Sequence, residues 1–146
     1  MTILAAIDGS DRDIPIIREA WDLATAFDEP LVVLYVLAED IFEERHNSRS
    51  EYYQDDAVAD AKEVAREQAE SALGYDDIRT VPSLDTDGSV GEPAARIQDK
   101  ANEHDVRYIV MGARKRSPIG KAMFGSTTQS VLLNVDRPVV SVLDDQ

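Results

Sequence analysis

Short apolar runs alternate along this chain with longer stretches in which apolar residues recur every three or four positions. The runs are rich in Val, Ile and Leu, and their length and composition predict buried β-strands. We expect five strands, of which the third is the weakest, at residues 3–7, 31–37, 78–84, 106–111 and 138–143. The stretches between them have the periodicity of amphipathic helices. This alternation restricts the chain to a small set of α/β folds.

Four helices are predicted from the helical spacing, at residues 14–24, 57–73, 94–101 and 128–135. Strands that are apolar almost throughout are covered on both faces, which indicates a parallel sheet between two layers of helices. With right-handed crossovers, the second and third strands are added in turn on one side of the first strand, and the fourth strand is added on its other side. The predicted fold is therefore α/β, a doubly wound five-stranded parallel sheet with strand order 3-2-1-4-5. With 146 residues, the chain suits one domain over residues 1–146.

The segment from Ala38 to Asp56 does not fit either pattern. It reads AEDIFEERHNSRSEYYQDD, is mostly polar, and is long for a connection between two elements. We expect a mobile connection here.

The charge balance narrows the classes of partner. The formal net charge is −14, and a field of this sign disfavours nucleic acids and anionic membranes. The N-terminus MTILAAIDGS lacks the basic flank and the cleavage site of a signal peptide, so we expect a soluble, cytoplasmic protein. Because the chain contains no cysteine, disulfides and thiolate chemistry are excluded.

A ligand site is expected where the chain reverses its direction of travel across the sheet. In doubly wound folds, ligands bind beyond the carboxyl ends of the strands at this point. Here the crevice lies between strands one and four, which end at Asp8 and Gly112. The basic stretch ARKRSPIGK follows Gly112 directly, in an otherwise acidic chain.

The last predicted helix begins beyond this basic stretch, at Gly125 and Ser126. The N-terminus of a helix offers free backbone N–H groups and a positive dipole end, and Ser126 and Thr127 add hydroxyl donors. We expect an anion here, with phosphate as the natural ligand. Simpler explanations remain open: Asp8 can cap a turn, the basic residues can form a solvated loop, the glycines can serve turns, and Ser126 can be the N-cap.

The stretch VMGARKRSPIGKAMFGS, followed by a helix and DRPVVSV, resembles the universal stress protein family over essentially the whole chain. Members that bind ATP have a glycine, two residues, a second glycine, nine residues, then glycine and serine or threonine. Gly112, Gly125 and Ser126 fit this pattern, Asp8 falls where the family has an acidic residue near the adenosine, and Lys115 replaces the second glycine. The resemblance implies ATP or AMP as ligand, with Mg as an optional companion. The expected binding residues are Ala6, Asp8, Val36, Met111, Gly112, Arg114, Lys115, Gly125, Ser126 and Thr127.

Two functions from different classes follow. In the first, the protein is a stress-response or signalling module that holds ATP or AMP and passes its bound state to unidentified client proteins. In the second, it is a dimeric interaction protein of the same fold that binds no nucleotide. Because the sequence provides no general base opposite a phosphate, catalysis is limited to slow, incidental ATP hydrolysis. A homodimer is expected through the last strand, from Pro138 to Leu143, because that strand lies at an open edge of the sheet.

Overall fold

The computed structural model describes residues 1–74, 84–115, 122–123 and 125–144, and shows six strands and five helices in these ranges. In chain order they are β1 Thr2–Ile7, α1 Asp13–Phe27, β2 Leu31–Ala38, α2 Glu39–Ser48, α3 Gln54–Leu73, β3 Leu84–Gly91, α4 Pro93–Glu103, β4 Val106–Lys115, β5 Ala122–Met123, α5 Ser126–Asn134 and β6 Val139–Asp144.

Five of the strands form a parallel sheet in the order β3-β2-β1-β4-β6. The central strand β1 places Leu4 beside Val32 of β2 and Ile109 of β4, and Ile109 in turn lies beside Val139 of β6. The predicted strand order is confirmed. The two-residue strand β5 was not expected, and it pairs antiparallel with the end of β4.

The sheet is covered on both faces because the side chains of β1 alternate between two cores. Ile3, Ala5 and Ile7 face α1 and α3, whereas Leu4 and Ala6 face α4 and α5. All six residues of β1 are buried, which explains its almost unbroken apolar sequence. The observed layers therefore follow from the pattern read in the sequence.

The third strand begins where its prediction ended. β3 spans Leu84–Gly91 and shares only Leu84 with the predicted strand, while residues 78–83 lie outside the described part of the chain. Its sequence, LDTDGSVG, is polar because β3 lies at the edge of the sheet and most of its residues are partly exposed. The buried Gly88 lets α3 approach closely, since a Cβ there would lie 2.5 Å from the backbone nitrogen of Lys62.

The expected connection from Ala38 to Asp56 is largely helical, so this prediction was wrong. It contains α2, in which no residue is buried, and the start of α3. Tyr52 anchors the segment because its ring packs in a small core with Leu37 and Ala57. The Tyr52 hydroxyl donates a hydrogen bond of 2.7 Å to Oδ2 of Asp60. The low apolar content of α2 concealed its helical character.

None of the described helices has the length and apolarity that crossing a membrane requires.

Candidate functional site

A cleft of about 670 Å³ opens at the carboxyl ends of β1, β2 and β4, where the sequence places the crevice. One part of its lining is apolar, with Leu34, Val36, Ile97 and Met111. The start of α5 contributes a polar part of glycine, serine and threonine residues. The cleft therefore offers a surface for a flat apolar group beside a set of hydrogen-bond donors.

Most of the expected binding residues lie in the lining of this cleft. They are Ala6, Asp8, Val36, Met111, Gly112, Gly125, Ser126 and Thr127. The backbone of Arg114 and Lys115 ends β4 and pairs with β5. The expected ligand contacts of these two side chains lie outside what the structure describes, as do residues 116–121 of the basic stretch.

The polar part of the cleft is the N-terminus of α5. Gly125 is the N-cap, with φ −66° and ψ 166°, so the alternative that Ser126 caps the helix is wrong. The helix is tied to β4 because Oγ1 of Thr128 donates a hydrogen bond of 3.2 Å to the carbonyl oxygen of Gly112. A Cβ at Gly125 would meet no atom within 4 Å, and both Gly125 and Ser126 are exposed. The backbone N–H groups of the first helical turn have no partner within a helix and are therefore available to a ligand.

Gly112 has a packing role in addition to its position in the cleft. It lies within β4, paired with Val142 of β6, so it is not a turn glycine. A Cβ at this position would lie 2.9 Å from Cδ1 of Ile16, which also lines the cleft. The absence of a side chain at Gly112 therefore leaves room for the end of the Ile16 side chain beside the strand.

The loop between β1 and α1 brings Asp8 to the cleft. Asp8 Oδ1 accepts a hydrogen bond of 2.9 Å from the backbone N–H of Ser10, and Oδ2 accepts one of 2.9 Å from the Arg12 guanidinium. Burial alone would raise the pKa of Asp8, but the hydrogen bonds from Ser10 and Arg12 outweigh it and lower the pKa. The Asp8 side chain is 58% exposed, so a ligand can still reach this carboxylate. Asp8 thus both caps its turn and lines the cleft.

Sequence reasoning missed the role of Asp13. This carboxylate is fully buried and accepts hydrogen bonds from the backbone N–H groups of Asp8, at 3.0 Å, and Gly9, at 2.8 Å. A third hydrogen bond, of 2.8 Å, comes from Nε2 of Gln68 in α3. Burial raises the pKa of Asp13 to about 6. No local signal separates Asp13 from an ordinary acidic residue in a first helical turn, because its partner Gln68 is distant in sequence.

Other cleft residues were also missed. Arg12, Tyr35 and Ile97 line the cleft beside or near predicted residues, and Ile41 reaches it from α2. Ile41 could not be found because its helix was read as a connection. Among the described residues, no group of three histidine or acidic side chains is arranged to hold a metal ion.

The family comparison matches residues 1–142 to the Universal stress protein family. Among solved structures, a universal stress protein from Archaeoglobus fulgidus is similar, with 27% identity, 97% of each chain covered and a TM-score of 0.60. Comparison with curated protein sequences gives no match.

Two further similar structures contain nucleotides. One is the universal stress protein from Archaeoglobus fulgidus in complex with dAMP, at 21% identity and a TM-score of 0.56, covering 97% of this chain and 96% of that one. The other is a universal stress protein in complex with cAMP, at 17% identity and a TM-score of 0.63, with the same coverage. At these identities the likeness establishes the fold alone.

Proposed function

The chain belongs to the universal stress protein family, and we propose that it is a nucleotide-binding member that holds ATP or AMP in the cleft between β1 and β4. The observation that carries the proposal is the cleft itself, which joins an apolar surface to an open helix N-terminus. The complexes of similar proteins with dAMP and cAMP support an adenine nucleotide as the ligand class.

The phosphate end of the proposed site is the start of α5. Gly125 and Ser126 are exposed, and the lack of a side chain at Gly125 lets a phosphate oxygen approach the backbone. The N–H groups of the first turn donate hydrogen bonds to the phosphate, and the helix dipole favours its negative charge. The hydroxyls of Ser126 and Thr127 are additional donors. Mg²⁺ enters the proposal only as a companion of the phosphates of ATP.

The nucleoside end lies at β1 and β2. Val36, Leu34 and Met111 offer apolar surface to a purine ring. The exposed carboxylate of Asp8 is an acceptor for an amino or hydroxyl group of the nucleoside. The overall charge of −14 opposes binding of an anion, so the local donors must outweigh a repulsive long-range field.

Lys115 stands where the family motif that this sequence resembles has its second glycine. In Lys115→Gly, weaker binding of ATP means that the ammonium group pairs with phosphate, whereas tighter binding means that the side chain limits the approach of backbone to ligand. An unchanged dissociation constant removes Lys115 from the proposed site.

ATP hydrolysis, if measurable, is slow in this proposal, because no base is assigned to activate water.

Thermal unfolding with and without nucleotide tests the proposal. ATP or AMP at about 100 times its dissociation constant should stabilise the protein by about 2.7 kcal/mol. Gly125→Asp should abolish the shift, because it puts a carboxylate where the phosphate binds. Asn134→Asp is the matched control, since it adds the same charge at the other end of α5. The absence of a shift at millimolar nucleotide, in both low and high salt, leaves the dimeric interaction protein as the better account.

We also propose a homodimer through β6. Within the described residues β6 pairs with β4 alone, so its second edge presents unpaired backbone groups. Val140 and Val142 of β6 are only partly buried, and Leu143 is 48% exposed. Antiparallel pairing of two copies about a two-fold axis satisfies the backbone and covers these side chains.

A further inference from the structure

The most deeply buried acidic side chain described in the structure lies directly beneath the loop that carries Asp8. Asp13 is 0% exposed and sits at the start of α1. Burying a carboxylate is costly unless its oxygens are well hydrogen-bonded, and Asp13 has three donors for its two oxygens. Two of these donors are the backbone N–H groups of Asp8 and Gly9. The carboxylate therefore holds consecutive peptide groups of the loop.

The same loop is held from the other side by α3. Nε2 of Gln68 donates hydrogen bonds to Oδ2 of Asp13, at 2.8 Å, and to the carbonyl oxygen of Ser10, at 2.9 Å. Within the loop, Gly9 has φ +86°, a left-handed conformation that glycine adopts readily, and a Cβ there would lie 3.5 Å from Cε2 of Tyr35 and 3.9 Å from Cγ1 of Val64. A chain of contacts thus runs from α3 through Asp13 to the backbone of Asp8.

We propose that Asp13, supported by Gln68, is a positioning residue for the ligand cleft: it fixes the backbone of Asp8 and Gly9 and so directs the carboxylate of Asp8 towards the nucleoside part of the ligand. Its ligand-binding consequence rests on the proposed function. Asp13 does not line the cleft and acts through Asp8, whose side chain does.

The chemistry of the site distinguishes a carboxylate from its closest replacement. Asparagine has one acceptor oxygen and one amino group, whereas the loop and Gln68 present three N–H donors. In Asp13→Asn, at least one backbone N–H therefore faces another donor and loses its partner. Gln68→Met removes the support from α3 at similar volume and leaves the carboxylate in place. Asp11→Asn is the matched control, because Asp11 is exposed in the same loop and loses the same charge.

The first measurement is hydrogen exchange of the Asp8 and Gly9 amides, followed by NMR without ligand. Asp13→Asn should speed their exchange by about tenfold, relative to the amides of β1, while Asp11→Asn leaves it unchanged. Unchanged exchange in Asp13→Asn overturns the inference. This result does not depend on any nucleotide.

The second measurement is calorimetric binding of AMP and of inorganic phosphate, which lacks both the base and the ribose. Asp13→Asn and Gln68→Met should each weaken AMP binding about fivefold, and the binding of inorganic phosphate less than twofold. Asp8→Ala combined with Asp13→Asn should weaken AMP no further than Asp8→Ala alone, because both act through one carboxylate.

The outcomes separate the two proposals. If the binding of both ligands is weakened equally, or if the effects add in the double variant, the role of Asp13 is merely structural and the inference is overturned. If the unmodified protein binds neither AMP nor inorganic phosphate, the proposed function fails, and the amide exchange then decides whether Asp13 positions the loop. Should Asp13→Asn fail to fold, Gln68→Met carries the same comparison.

Discussion

Adding a single methyl group at Gly88 tests how closely α3 packs on the edge of the sheet. In Gly88→Ala, the new Cβ would lie 2.5 Å from the backbone nitrogen of Lys62, 2.7 Å from Cβ of Ala61 and 2.8 Å from its carbonyl carbon. Ordinary contacts of this kind exceed about 3.4 Å, so the backbones of α3 and β3 must move apart by nearly 1 Å. Rotating a side chain cannot provide it, because two of these atoms belong to the backbone of α3 and the third, the Cβ of Ala61, is fixed to that backbone. We expect a loss of about 2 kcal/mol, within the range for overpacked cores.

The matched variant is Gly112→Ala, which also adds a methyl group within a strand. There the nearest atom is Cδ1 of Ile16, at 2.9 Å, and the next is Cγ1 at 3.8 Å, so rotation of one side-chain end relieves the contact. We expect a cost below about 1 kcal/mol. Urea unfolding should separate the two variants, and Gly88→Ala should melt about 4–8 °C lower than the unmodified protein. Equal stability of the two variants would refute the close approach of α3 to β3.

Three further perturbations have defined outcomes. The unmodified protein should lose about 3 kcal/mol of its free energy of unfolding between about pH 3 and pH 7, because the pKa of Asp13, raised from 3.8 to about 6, makes the native state bind more protons than the unfolded state in this range. Asp13→Asn should remove this fall, as measured by urea unfolding, and an unchanged slope would contradict the raised pKa. The Arg107 side chain forms an ion pair with the buried carboxylate of Glu29, to which its Nε donates hydrogen bonds of 2.8 and 3.0 Å, and these bonds lower the pKa of Glu29 from 4.5. Arg107→Met should therefore destabilise the protein most at neutral pH and progressively less as the pH falls through that lowered pKa. A pH-independent loss would exclude the ion pair as the cause. Val140→Lys with Val142→Lys should convert the proposed dimer to a monomer in sedimentation, and a dimer that survives both changes would rule out the β6 interface.

The fold was predictable because its central strands are buried, and their sequences are apolar almost throughout. β1 is buried throughout, and the apolar runs of β1, β2 and β4 fall where the strands lie. β3 was misplaced because an edge strand needs apolar residues on only part of its surface, so its polar sequence resembles a loop. α2 was missed for a similar reason, since none of its residues is buried.

The cleft was predictable from topology, and its supporting contacts were not. The crevice between β1 and β4 follows from strand order, so Asp8, Gly112 and Gly125 could be placed in it from their positions in the chain. The hydrogen bond from Gln68 to Asp13 joins residues 55 positions apart. Such a pair has no local pattern, and only the packing of α3 against the loop brings it together.

Binding of an adenine nucleotide in the cleft, with its phosphate at the start of α5, can be observed residue by residue in an AMP titration followed by amide chemical shifts. Saturable shifts are expected at Gly125, Ser126 and Asp8, with no change at Glu29, which precedes β2 at the opposite end of the sheet. Shifts confined to residues outside the cleft, or none at millimolar AMP, would refute binding at this site.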